Sequence, residues 1–363
     1  MMQQALSTGL RWWFESLDQL RRQRGTVMDR VGYGPHESAF QTILSVPGMR
    51  LRRYADELAD GPVVLIVPAP IKRHYIWDMT PETSVIQHAL ARGMRVYLIE
   101  WIDPVTNMET RFGLEEYGYT LIGQGVAAIR AEHPHDKIML FSHSLGGIFA
   151  AIYATICPEY ISGAVLIETP LHFGKEASGS FGPLVALGPS ADTVTRTFER
   201  VPGSVLNFAS TASSPATFSL ERYADLVASI GSPKFLKSHI LVERWTLDEA
   251  PMAGRLFEQI VNGFYREDSF MRGSLTVNGQ QLSPQHLTAP LLSVYDPRSV
   301  IIPPASVIAF HEAAGSTIKQ LLTYDGDTGV GLSHVGALVG ENAHRFLWPQ
   351  IFDWVDEVSA LPS

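Results

Sequence analysis

The sequence has few of the features that mark special classes of protein. Its single cysteine, Cys157, excludes an intramolecular disulfide and a zinc site built from several cysteines. Its 28 lysines and arginines are outnumbered by 37 aspartates and glutamates, so nucleic acid is not an expected partner. No apolar run is long enough to cross a membrane, and the N-terminal residues lack the pattern of a signal peptide. We therefore expect a globular cytoplasmic protein.

The N-terminal residues predict an amphipathic helix. Leu10, Trp12, Trp13, Leu17 and Leu20 recur at helical spacing on roughly one face. The ordinary interpretation is a helix that packs on the body of the protein or on a partner, such as a second subunit of a homodimer. Contact with a membrane surface or a hydrophobic granule is the alternative.

Short apolar runs alternate with helical segments over most of the chain. The runs cover 63–67, 96–99, 137–141, 164–168, 290–295 and 318–323, and the helical segments cover 84–92, 114–130, 148–156 and 346–358. This alternation predicts a mostly parallel sheet flanked by helices. It stops between about 172 and 265, where we expect an inserted, mainly helical cap. The predicted division is a helical extension (1–50), a core (51–171 and 266–363) and the cap (172–265).

A serine turn carries the chemistry. The stretch Ser142-His143-Ser144-Leu145-Gly146-Gly147 follows an apolar strand and opens a small-residue helix. It resembles the G-x-S-x-G turn that exposes a nucleophilic serine at the sheet edge of α/β-hydrolases, with Ser142 in place of the first glycine. The helix N-terminus points amides at developing negative charge, so the Leu145 N–H is a candidate oxyanion donor. The pattern predicts the α/β-hydrolase fold with Ser144 as nucleophile.

A serine nucleophile needs a base and an acid, which follow it in this fold in the order Ser, acid, His. His334 comes after the last predicted strand and is the best-placed base. Asp296, directly after the strand at 290–295, is the favoured acid, with Asp325 and Asp327 as alternatives. The acid would hold the tautomer of the imidazole and stabilise the imidazolium.

The loop after the first core strand, Pro68 to Tyr75, predicts further contacts with the substrate. Because prolines lack an N–H, Ile71 or Lys72 is the candidate for the second oxyanion donor, with Ile71 preferred. Five side chains are predicted to bind substrate: Lys72, Arg73, His74, Tyr75 and His143. His143 is also expected to support the turn. No metal or organic cofactor is expected, because no cluster has ligand spacing and no phosphate-binding glycine loop is present.

Several segments together resemble the polyhydroxyalkanoate synthases. They include VPAPIKRHYIWDMTPETS, VYLIEWIDP, FSHSLGG, RGSLTVNGQQLSPQHLTAPLLSVYDPRSVIIPP and SHVGALVG. Two departures stand out. The synthases carry cysteine where this chain has Ser144, and their aspartate position falls on Ser299, three residues after Asp296. The resemblance implies an acyl-enzyme and an acyl substrate such as a CoA thioester.

A serine acyl-enzyme is usually resolved by water, whereas a thiolate suits repeated acyl exchange. The sequence therefore predicts a serine hydrolase of hydroxyacyl esters, hydroxyacyl-CoA or polyhydroxyalkanoate-type substrates. An acyltransferase or synthase-like polymerase is the first alternative. A non-catalytic protein that binds granules or acyl-CoA is the second.

Overall fold

The computed structural model describes residues 2–54 and 60–361, with side chains from residue 8 onward. The strands are β1 Gln41–Val46, β2 Met49–Arg53, β3 Val63–Val67, β4 Arg95–Trp101, β5 Ile138–His143, β6 Ile161–Ile167, β7 Arg200–Val201, β8 Met252–Ala253, β9 Leu275–Val277, β10 Gln280–Leu282, β11 Leu291–Tyr295 and β12 Lys319–Thr323. The helices are α1 Met2–Met28, α2 Val85–Ala91, α3 Leu121–Glu132, α4 Leu145–Ile156, α5 Phe181–Leu187, α6 Ala191–Thr197, α7 Gly203–Ser213, α8 Arg222–Ser229, α9 Pro233–Thr246, α10 Gly254–Gln259, α11 Pro304–Ala313, α12 Ser333–Val339 and α13 Trp348–Ser359. None of the helices in these residues is both long and apolar enough to span a membrane.

Eight strands form the central sheet in the order β1-β2-β4-β3-β5-β6-β11-β12. The pairs from β4 to β12 are parallel, and β1 and β2 run antiparallel at one edge. Along β3 the side chains alternate between two apolar layers, because successive residues of a strand point to opposite faces. Leu65 packs in the layer with α3 and α4, while Ile66 packs in the layer with α2 and α13. The predicted parallel sheet between helices is confirmed.

Strands β1 and β2 were not predicted, and the predicted N-terminal extension ends at residue 50, inside β2. The reason is that β2, MRLRR, reads as charged rather than apolar. Its Arg52 is nevertheless buried, because its guanidinium pairs with Glu37 at 2.7 Å and Glu100 at 2.9 Å. Residues 41–53 therefore belong to the sheet.

The predicted N-terminal helix is α1, but most of its predicted apolar face is exposed rather than packed on the body. The helix contacts α6, α7 and α9 through other residues, including Phe14 against Phe198 with ring centroids 5.8 Å apart. Trp12 is 68% exposed and Trp13 is 55% exposed. Granule contact and a homodimer stay predictions.

The serine turn depends on two glycines at the start of α4. A Cβ on Gly146 would lie 2.3 Å from the Val67 carbonyl oxygen at the end of β3. A Cβ on Gly147 would lie 1.9 Å from the Thr169 hydroxyl, just beyond β6. The helix can therefore pass close to both strand ends only because these two positions lack side chains.

We expect Gly147→Ala to lower the free energy of unfolding by about 1–3 kcal/mol, because the added methyl overpacks this contact. Gly123→Ala, in helix α3, is the matched control, because its Cβ would lie 3.6 Å from the Tyr153 ring, an ordinary contact distance. That change should leave the stability equal or higher, since alanine favours a helix. Thermal and denaturant unfolding of both variants measure the difference, and equal stabilities would contradict the close approach.

Candidate active site

Ser144 lies between β5 and α4, where the sequence predicted the nucleophile. Its backbone has φ 53° and ψ −131°, which is rare for a residue with a side chain. Its N–H donates to the Ile167 carbonyl at 3.0 Å, so the turn is fixed to the end of β6. Such a conformation costs about 1–3 kcal/mol and is held by surrounding structure, as is common at functional sites.

His334 lies in the first turn of α12, at the same edge of the sheet. Its ring contacts that of His143, the residue before the serine, with centroids 4.5 Å apart. His143 Nε2 donates a hydrogen bond to the backbone carbonyl of His334 at 2.8 Å. His143 thus supports the turn, as predicted, and joins it to the predicted base. Its predicted contact with substrate stays a prediction.

The carboxylate beside the predicted base is Glu168, which was not among the predicted acids. His334 Nδ1 lies 2.9 Å from Glu168 Oε2. Glu168 directly follows β6, is 1% exposed and has φ 41°. In the sheet β6 lies between β5, which leads to the serine, and β11. The carboxyl ends of these parallel strands meet at one edge, so Glu168 reaches the histidine from the strand next to the nucleophile.

The predicted acid Asp296 does not contact His334 by hydrogen bond. Its carboxylate instead accepts from the Arg298 N–H at 2.8 Å and from the Arg298 guanidinium. It lies near enough to Glu168 to affect the charge of that group, as does the Ser299 hydroxyl. The position that is aspartate in the synthases thus holds a serine beside the glutamate, and Glu168 takes the place at the imidazole.

Within the described residues, neither of the two alternative acids is hydrogen bonded to His334. Asp327 accepts from the Tyr324 hydroxyl at 3.0 Å and from the Asn342 N–H at 2.7 Å, so it fixes the segment after α12. The Asp325 carbonyl accepts from Arg298. The sequence suggested these residues because they lie on the loop that leads to His334. The order of the strands in the sheet instead places Glu168 beside the imidazole.

Burial controls the charge states of the site. It raises the pKa of Glu168 to about 8; His143 opposes this rise, and the nearby Asp296 carboxylate adds to it. Burial lowers the pKa of His334 to about 4 and that of His143 to about 3. Both imidazoles are therefore neutral at neutral pH, and His334 can accept a proton.

Four side chains predicted to bind substrate are occupied by partners within the chain. Lys72 Nζ lies 2.8 Å from Glu249, Arg73 pairs with Asp103 at 2.8 Å, His74 Nε2 lies 2.8 Å from Glu37, and the Tyr75 hydroxyl donates to Asp248 at 2.8 Å. The loop looked exposed in the sequence because its partners are distant along the chain. These contacts tie the loop to the cap, to the segment after β4 and to the N-terminal segment instead of leaving the charges free for a ligand.

The oxyanion prediction rests on the amides around the serine. Leu145 is the first residue of α4, where a helix leaves its amides without an acceptor inside the helix. The loop after β3 lies beside it, because Pro68 contacts Gly146. The Ile71 carbonyl accepts from the Ala250 N–H at 3.1 Å, which fixes this loop to the cap. The oxyanion roles of Leu145 and Ile71 stay predictions.

In the part of the chain that the structure describes, one cluster has the spacing of a metal site. Ligand atoms of His143, Glu168 and His334 all lie within 4.8 Å of one another. The hydrogen bonds from His334 Nδ1 to Glu168 and from His143 Nε2 to the His334 carbonyl account for the spacing. The arrangement is that of a histidine held by a carboxylate beside the serine turn.

Curated relatives are poly(3-hydroxyalkanoate) polymerase subunits named PhaC. The chain is 28% identical over 334 residues to the Haloferax mediterranei protein, covering 91% of this chain and 65% of that one. It is 27% identical over 322 residues to the Allochromatium vinosum protein, covering 87% and 88%. No model of a known protein family matches the chain. The predicted resemblance to polyhydroxyalkanoate synthases is confirmed.

Solved structures share the fold at low sequence identity. A monoacylglycerol lipase from Paleococcus ferrophilus matches with a TM-score of 0.51 and 17% identity, over 85% of this chain and 99% of that one. A membrane phospholipase A, a bacterial virulence factor, matches with a TM-score of 0.51 and 15% identity, over 98% and 99%. The predicted α/β-hydrolase fold is confirmed. With the curated relatives, so is the prediction of an α/β-hydrolase-type enzyme.

We expect Glu168→Gln to lower kcat by about 100- to 10,000-fold, because the amide cannot hold the imidazole in the required tautomer. Asp296→Asn is the matched control, and it should cause a much smaller loss. Steady-state kinetics of both purified variants on one ester substrate measure the contrast. A larger loss of kcat in Asp296→Asn than in Glu168→Gln would identify Asp296 as the acid.

The activity should also rise with pH through the pKa of Glu168, near 8. Below it a protonated Glu168 donates to Nδ1, so Nε2 carries the ring proton and cannot accept one from the serine. Above it the carboxylate accepts from Nδ1–H and Nε2 is free. A profile of kcat/KM against pH, corrected for spontaneous hydrolysis, measures the inflection. Asp296→Asn should shift the inflection to lower pH, because it removes a charge that raises the pKa of Glu168. An inflection at the wild-type pH would contradict the assignment of the inflection to Glu168.

Proposed function

We propose that the chain is a serine hydrolase of acyl esters or thioesters, acting through an acyl-enzyme on Ser144. The observation that carries the proposal is the placement of His334 between the serine turn and the buried Glu168 carboxylate, to which its Nδ1 is hydrogen bonded at 2.9 Å. In this arrangement the other ring nitrogen of His334, Nε2, is left to take the serine proton.

The reaction follows from these groups. The Ser144 oxygen attacks the substrate carbonyl while His334 Nε2 takes its proton, and Glu168 stabilises the imidazolium. The Leu145 amide, with an amide of the loop after β3, receives the developing oxyanion. His334 then returns the proton to the leaving alcohol or thiol. Water repeats the sequence on the ester of Ser144 and releases the free acid.

The acyl group is proposed to be a hydroxyacyl chain, which the polymerase relatives support. Three aromatic side chains from the two ends of the cap pack together. Phe173 packs against Tyr265 with ring centroids 4.6 Å apart, and Phe181 packs on the same ring at 6.3 Å. Aromatic packing of this kind suits the lining of a site for an apolar acyl chain. A cytoplasmic location fits a CoA thioester substrate and belongs to the same proposal.

Transfer to an alcohol is the second candidate, and the polymerase relatives favour it. The same acyl-enzyme would form, but a hydroxyl of a second substrate would replace water. The serine argues for water, because oxygen esters exchange more slowly with acceptors than thioesters do.

The test is incubation of the purified protein and of Ser144→Ala with 3-hydroxybutyryl-CoA and with a chromogenic short-chain ester. We expect free hydroxy acid and CoA from the wild type and none above background from the variant. Polymer or oligomer with little free acid would show transfer instead. A fluorophosphonate probe labels an active serine, so failure to label Ser144 would identify a non-catalytic binding protein.

A further inference from the structure

A carboxylate in the cap is bonded to the loop that carries His334. Asp225, in α8, accepts from the Gly329 N–H at 2.7 Å and from the Gly331 N–H at 2.8 Å. His239, in α9, contributes a third contact, its Nδ1 lying 2.7 Å from Asp225 Oδ2. Gly331 is only three residues before His334, so Asp225 fixes the backbone that leads directly into the predicted base.

The glycine loop is shaped to lie against the cap. Gly329 has φ +81° and Gly331 has φ +66°, conformations that favour glycine. A Cβ on Gly329 would lie 2.8 Å from the Phe235 carbonyl oxygen, and one on Gly331 would lie 3.3 Å from the Val242 side chain. Both of these contacts are to α9. The loop therefore has no room to move towards the cap, and the Asp225 bonds prevent it from moving away.

Helix α9 is part of the core, unlike a lid lying on the surface. Val242 and Trp245 are 0% and 5% exposed, and they lie in the same apolar cluster as Val330 and Val335, on either side of His334. The Trp245 indole donates to the Arg73 carbonyl at 2.7 Å, in the loop after β3. One helix therefore contacts both loops that are proposed to form the active site.

We propose that Asp225 is a positioning residue that couples the cap to His334, so that the imidazole has its productive place only while α8 and α9 are seated. This inference rests on the proposed role of His334 as the base. A carboxylate suits the task because it offers two acceptor oxygens to two amides and an imidazole at once. A displacement of α8 would release Gly329 and Gly331 and with them the first turn of α12.

The test compares Asp225→Asn with Glu243→Gln. In Asp225→Asn one acceptor oxygen becomes an N–H donor that faces another donor, so a bond to the loop is lost. Glu243, in α9, pairs with the Arg222 guanidinium at 2.9 Å and is the matched control. The amide of its variant keeps one acceptor oxygen for Arg222, so α8 and α9 stay seated, and Glu243 makes no hydrogen bond to the glycine loop. We expect Asp225→Asn to lower kcat by about 10- to 100-fold with little change in KM. Glu243→Gln should keep the wild-type kcat.

Hydrogen exchange, followed by mass spectrometry on the peptide that spans 325–334, gives a second readout independent of activity. It should speed up in Asp225→Asn and stay unchanged in Glu243→Gln. Equal exchange and equal kcat in the two variants would overturn the proposal. Faster exchange with unchanged kcat would also overturn it, since the contact would then not position His334. If the wild type showed no turnover dependent on Ser144, the proposed function would fail, and exchange alone would decide whether Asp225 holds the loop.

Discussion

The hydrogen bond between Glu168 and His334 joins the end of β6 to the start of α12, which are far apart in the sequence, and the candidate site depends on it. The serine turn fixes only Ser144, the proposed nucleophile, and α12 fixes only the backbone of the histidine. The ring is oriented by the carboxylate at Nδ1 and by the contact with His143. A neutral imidazole has one donor and one acceptor nitrogen, so the group at Nδ1 determines whether Nε2 can act as a base.

Burying the Glu168 carboxylate beside His334 costs free energy, and the surrounding structure holds the residue in place. Glu168 Oε1 is buried without a hydrogen-bond partner, and Asp296 lies near it. Ser144 and Glu168 both have positive φ, and both donate their backbone N–H to a neighbouring strand end, at Ile167 and Val294. The sheet thus holds both residues in conformations that an isolated chain would avoid.

The features of the fold and of the candidate site that depend on local sequence patterns could be predicted from the sequence. The apolar strands, the turn around Ser144 and the histidine after the last strand each have a signature within a few residues. Glu168 has no such local signature, because its role depends on β6 lying next to β5. The one available signal in the sequence was a carboxylate directly after a buried strand. Lys72 looked free for a ligand because its partner Glu249 lies in the cap, and β2 looked like a charged loop because its arginines pair across space.

The most direct test of the account is low-field proton NMR of the purified protein at a pH above the inflection of its activity. A proton shared between an imidazole nitrogen and a carboxylate gives a resonance far downfield of the amide signals. The account predicts such a resonance in the wild type and in Asp296→Asn, and its loss in Glu168→Gln and His334→Gln. A resonance that persists in Glu168→Gln and disappears in Asp296→Asn would contradict the assignment of Glu168 as the partner of the histidine.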